Sequence, residues 1–125
     1  MSVWIRRQLL LAQFLLVSLV FIVGALLPGP FREHVRDVMM LSRVDGYAHL
    51  FFIGLMSFLL ARMGLRWYLT LLLMLAFGAM IEVVQIWVPG RSPSWQDFFD
   101  DGIGALIGIF IALLIPGTSR RVVNG

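Results

Sequence analysis

Polar side chains with chemical potential stand out in an otherwise apolar chain of 125 residues: Asp45, His49, Glu82, Gln85, Arg91, Asp97 and Asp101. Asp45 and His49 are four apart, Glu82 and Gln85 three apart, and Asp97 and Asp101 four apart. On a helix, each of these spacings stacks the pair on one face. Histidine titrates near ~6.5 in water and so suits a general base. Glu82 with Gln85 suits ligand binding or a proton relay. Arg91, in the turn VPGRSP, has the fork geometry to clamp a phosphate or carboxylate. Each group also has a quieter reading. Glu82 and Gln85 serve equally as a hydrogen-bond pair locking the third helix to the second and fourth. His49 serves as an imidazole bonded to Asp45 or Glu82, and Arg91 as an interfacial partner of Asp97 or of lipid head groups. Asp97, three residues after Ser94, also fits a capped helix start.

The elements that must carry these groups follow from composition. Hydrophobic residues make up 60% of the chain and charged residues 14%, with a mean hydropathy of +0.92. Soluble domains run at roughly 45–50% apolar and about 25% charged, so the chain reads as an integral membrane protein. The length suits one domain, 1–125. Cysteine is absent, which removes disulfides and thiolate metal sites. All ten basic residues are arginine, scattered between apolar runs. They read as membrane-flank anchors rather than a nucleic-acid surface.

Four apolar segments, about 9–27, 44–61, 67–88 and 94–115, match the roughly 17–25 residues a helix needs to span a bilayer. They lack the alternation of barrel strands, so the expected fold is all-α, a four-transmembrane-helix bundle. The first segment exceeds a signal-peptide core and lacks a small-residue cleavage site, so it reads as a retained helix. Pro28-Gly29-Pro30 ends it. Between the first two segments, Phe31, Val35, Val38 and Met39 recur at helical spacing. That stretch fits a short interfacial helix and an irregular polar loop equally well. With four crossings, both termini share a face bearing Arg6, Arg7, Arg62, Arg66, Arg120 and Arg121. The opposite face bears Arg32, Arg36, Arg43 and Arg91 and, on or toward it, every acid. The basic excess predicts cytoplasmic termini, in the inner (cytoplasmic) membrane of a cell.

At about 1.5 Å of rise per residue, His49, Glu82, Gln85, Asp97 and Asp101 fall in one layer within roughly 10 Å of the outer helix ends. Gly104 and Gly108 continue the Asp97–Asp101 face, where small residues let helices approach closely.

On these residues the chain resembles the VanZ-like family of small membrane proteins. The resemblance covers about Asp45 to Gly108. It rests on Asp45 with His49, EVVQ ending at Gln85, PGR ending at Arg91, SWQD ending at Asp97, and the Gly104 and Gly108 spacing. Gly46 stands where the family usually has lysine, which removes an anion contact or a partner for Asp45. Asp101 stands where the family often has asparagine, which makes the site more acidic. The family is named for a protein that raises resistance to the glycopeptide antibiotic teicoplanin.

Two function classes remain open. One is a binding protein whose outward-facing polar pocket recognises a lipid-linked, cell-envelope or glycopeptide-like ligand, or a partner subunit. The other is a small membrane hydrolase or transferase acting on a lipid head group, with His49 or Glu82 as base and Arg91 stabilising negative charge. No serine or cysteine nucleophile lies in an evident triad, so hydrolysis would run through activated water. A channel would require oligomerisation. Membrane lipids are expected neighbours, and a homo-oligomer or membrane partner is compatible with the size. Asp97 and Asp101, with His49 and Glu82, would suit an oxygen-rich metal site, but no zinc motif, thiolate or cofactor motif is present, so neither metal nor cofactor is expected, and no nucleic acid.

Overall fold

The computed structural model describes residues 2–26, 44–89 and 95–116, together with Pro30 and His34. Four helices run through them: α1 (Val3–Ala25), α2 (Val44–Arg62), α3 (Trp67–Gln85) and α4 (Trp95–Leu114). The fold is all-α. The 31–43 stretch, read as surface helix or loop, lies outside the described residues apart from His34.

Helix ends are set by backbone hydrogen bonding, which explains where they depart from the apolar runs. α1 begins at Val3 rather than Leu9 because the Ser2 side chain accepts the Ile5 N–H at 3.2 Å and caps the first turn. Arg6 and Arg7, flank anchors by their charge, are good helix formers and continue the ladder. α3 ends at Gln85 rather than Val88. Beyond it the N–H groups of Ile86, Trp87 and Val88 reach back only three residues, at 3.1–3.2 Å, in tight turns leading to Pro89.

α2 ends in a Schellman turn. The Leu65 N–H bonds the Leu60 carbonyl at 3.2 Å and the Gly64 N–H bonds the Ala61 carbonyl at 3.1 Å. Gly64 takes φ 99°, a left-handed conformation that a side chain would oppose. The reversal is therefore sharp, and α3 starts at once.

The chain runs up and down, so the C-terminal ends of α1 and α3 meet the N-terminal ends of α2 and α4. α2 and α4 pack most closely. A Cβ on Gly104 would meet the Leu50 carbonyl, and one on Gly108 would collide with the Gly54 carbonyl. Gly54 itself faces the Gly104 carbonyl, 3.1 Å from where its own Cβ would stand. The core fills in around Ile53, Met56, Met74, Ile81 and Ala105. Phe21 brings α1 onto this core, stacked on Phe52 at 5.6 Å and tilted against Phe77 at 6.0 Å. At the far end Arg62 Nη1 donates to the Ile115 carbonyl at 2.9 Å, joining α2 to the end of α4.

The distribution of polarity is the reverse of a water-soluble domain. Leu16, Phe51, Leu72 and Phe110 face outward, whereas Ser57, Thr70, Gln85 and Asp101 are buried. Large contiguous apolar surfaces of this kind serve contact with lipid or protein. Among the described residues two helices, Val3–Ala25 and Trp67–Gln85, are long and apolar enough to cross a membrane by length and composition. α4 carries Asp97, Asp100 and Asp101 in its first two turns, which lowers its apolarity at that end alone.

Replacing Gly108 with Ala is expected to force α2 and α4 apart and to cost about 1–3 kcal/mol, the usual penalty of overpacking. Thermal unfolding in detergent measures it. An unchanged midpoint would mean that the helices do not meet there.

Candidate functional site

His49 sits in the second turn of α2, and Asp101 in the second turn of α4. The close glycine packing of the two helices lets these side chains touch. His49 Nδ1 lies 2.6 Å from Asp101 Oδ1, short enough for a charge-assisted bond with the ring N–H donating. Asp101 is 0% exposed and His49 3%. The second carboxylate oxygen, Oδ2, makes no hydrogen bond among the described residues. It lies over Gly78 of α3, where a Cβ would collide with it. Three helices thus fix the position of one carboxylate.

The other ring nitrogen points into a gap between two more acids. His49 Nε2 is 3.8 Å from Glu82 Oε1 and 3.9 Å from Asp97 Oδ2. Glu82 comes from the last turn of α3. Asp97 comes from the first turn of α4, where the helix dipole favours negative charge. Phe21 closes the opposite side of the imidazole, edge-on at 5.2 Å and 88°. The cluster meets solvent only at its rim, where the Asp97 and Glu82 side chains are 15% and 10% exposed.

Gln85 goes elsewhere. Its Nε2 donates to the Ala25 carbonyl at 2.8 Å. This satisfies one of the carbonyls left open at the end of α1, in a buried place where an unmet carbonyl is costly. The expectation that Gln85 locks α3 to the second and fourth helices is therefore corrected: it locks α3 to α1. His49 bonds Asp101 through Nδ1, and its expected partner Glu82 stands 3.8 Å from Nε2. Asp45 lies in the first turn of α2, but its side chain is outside the described residues, as is Arg91 altogether.

The structure brings together His49, Glu82, Asp97 and Asp101, and places Gly104 and Gly108 against α2 beneath them. Sequence reasoning missed Phe21, Gly54, Gly78 and the whole contribution of α1. It also passed over Asp100, which is nearly buried and accepts from Gln96 Nε2 at 3.3 Å. Gly78 had a signal, a glycine in the interior of an apolar helix where it weakens the helix unless close packing requires it. Phe21 had none, because an aromatic in an apolar run looks the same facing lipid or facing a histidine.

An apolar exterior, two helices able to cross a bilayer and a buried acid–imidazole cluster at one end of the bundle indicate a membrane protein with an internal polar centre. The chain matches the VanZ/LLP1 family model over residues 4–116, nearly its full length, and it belongs to that family. No match to the chain was found among curated proteins or among solved structures.

His49→Ala and Asp101→Ala are each expected to destabilise the bundle by about 1–3 kcal/mol, because each leaves a buried partner unsatisfied. Their effects should not add: contacting residues couple by about 0.5–3 kcal/mol. A double-mutant cycle on detergent unfolding reads the coupling. Simple additivity would rule out the bond.

Proposed function

We propose that this VanZ-family chain is a multi-pass protein of the cytoplasmic membrane that uses its acid–imidazole cluster as the floor of an outward-facing recognition pocket. One observation carries the reading. Three carboxylates from two helices gather about an imidazole from a third, inside a bundle whose outer faces are apolar. Ionisable groups within a membrane bundle are costly, and where they persist they mark ligand, ion or proton sites. Holding helices together needs less: one neutral amide, Gln85, hydrogen-bonds α3 to α1.

All four helices cross the bilayer in this reading. α2 and α4 have 19 and 20 residues, which at about 1.5 Å each match a hydrocarbon core of roughly 30 Å. The acids of α4 then lie at its outer end. Both termini are cytoplasmic, on the side with more arginines. The occupant is the polar head group of a lipid-linked or glycopeptide-like envelope molecule. The family link to teicoplanin resistance supports that class, as does the opening of the cluster at the rim by Asp97 and Glu82.

A second reading has its own observation. Asp101 orients His49 through Nδ1 and leaves Nε2 facing the rim, the arrangement of a general base with its orienting acid. In that reading the protein hydrolyses or transfers a lipid head group, with His49 or Glu82 as base and Arg91 stabilising the anion.

Glu82→Gln separates these readings from a purely structural role. It is expected to abolish binding of the envelope ligand, or the antibiotic phenotype, while the unfolding midpoint stays within a few degrees of wild type. A phenotype that merely follows the midpoint would sink the pocket. Product formation from lipid-phosphate substrates, lost in the same variant, would favour the enzyme. A reporter fused after Gly125 should read cytoplasmic, and an external signal would overturn the orientation.

A further inference from the structure

We infer that His49, Glu82 and Asp97 form a binding site for a divalent transition-metal ion of the Zn²⁺ or Mn²⁺ type. One donor atom from each of the three lies within 4.8 Å of the other two. Metal–ligand bonds of about 2.0–2.4 Å place neighbouring donors roughly 3.3–3.9 Å apart in a tetrahedral arrangement. The distances of 3.8 and 3.9 Å from Nε2 to the two carboxylate oxygens lie at the upper edge of that range. All three donors lie within 4.8 Å of one another, so an ion between them would draw the carboxylates inward.

The state of the imidazole is an independent pointer. His49 Nε2 belongs to a ring that is 3% exposed, and it aims into the gap between Glu82 and Asp97 while standing outside hydrogen-bond distance of either. With Nδ1 engaged by Asp101, Nε2 faces two carboxylates across a gap that suits a cation, either the proton of the ring itself or a metal ion that replaces it. The Asp101–His49 pair also matches the way metal-bound histidines are held, with the distal N–H on a carboxylate that fixes tautomer and ring orientation. The imidazole donor suits Zn²⁺, and the two carboxylates suit Mn²⁺ as well.

The site lacks the close sequence spacing of zinc motifs because its donors come from α2, α3 and α4. Three protein donors leave a coordination position for an outside oxygen. A phosphate or carboxylate head group could then be held through the ion. The inference in this form rests on the cluster being a working pocket.

The test uses the full chain in detergent, stripped with chelator and then titrated with Mn²⁺ or Zn²⁺ alone. Wild type is expected to bind one ion per chain. Bound Mn²⁺ should show ¹⁴N coupling from an imidazole in electron spin-echo spectra. Glu82→Gln and Asp97→Asn should weaken binding at least tenfold. Asp101→Asn should weaken it by about 10–100-fold, as loss of an outer carboxylate does. Circular dichroism tests folding, and Asp97, on the rim, is the variant that keeps the bundle intact. No binding by folded wild type, equal binding by Asp97→Asn, or bound Mn²⁺ without nitrogen coupling would each overturn the site. The assay contains no envelope ligand, so its failure leaves head-group recognition standing. Conversely, a failed head-group assay does not touch the metal result.

Discussion

The contact between His49 and Asp101 is the constraint around which this bundle is arranged. A fully buried carboxylate is tolerable only when paired and hydrogen-bonded. Its partner stands on a different helix, so the pairing dictates how near the two backbones must come. That separation leaves no room for side chains between α2 and α4, and glycines occupy the crossing at 54, 104 and 108. The same carboxylate presses its other oxygen onto α3, where Gly78 makes the space. The glycine seam and the polar cluster are one device. Close backbones bring the ionisable groups together, and the pairing of those groups favours close backbones.

Around this centre the chain distributes polarity as lipid requires. Outside water, helix association gains little from burying leucine, because lipid tails are as apolar as side chains. Packing of small residues and hydrogen bonds between helices carry more of the specificity. The bundle shows both: the glycine crossing, the Gln85 bond to Ala25, and the Arg62 bond to the Ile115 carbonyl at the opposite end. Membership of the VanZ/LLP1 family over residues 4–116 agrees with this design.

The helices were legible to within a few residues because apolar runs of this length have few other structures available. Errors fell at α1 and α3, where a serine cap and tight terminal turns moved the ends. The layer containing His49, Glu82, Asp97 and Asp101 was legible from rise per residue and from the alternation of helix direction. The partners were not. Nothing in the spacing of Asp45 and His49 says that the ring meets an acid 52 positions away. Nor does the EVVQ motif reveal that Glu82 and Gln85, three residues apart, serve different helices.

The sequence by itself determined the helical class of structure and the number of long helices among the described residues. These follow from composition, segment length and periodicity, which are local properties. Only the tertiary structure decided which carboxylate pairs with the imidazole, which helix receives Gln85, and that Phe21 and Gly78 complete the site. Those choices depend on the rotation of each helix about its axis and on how near the axes lie. Both arise from all the contacts at once, and no window of the chain contains them.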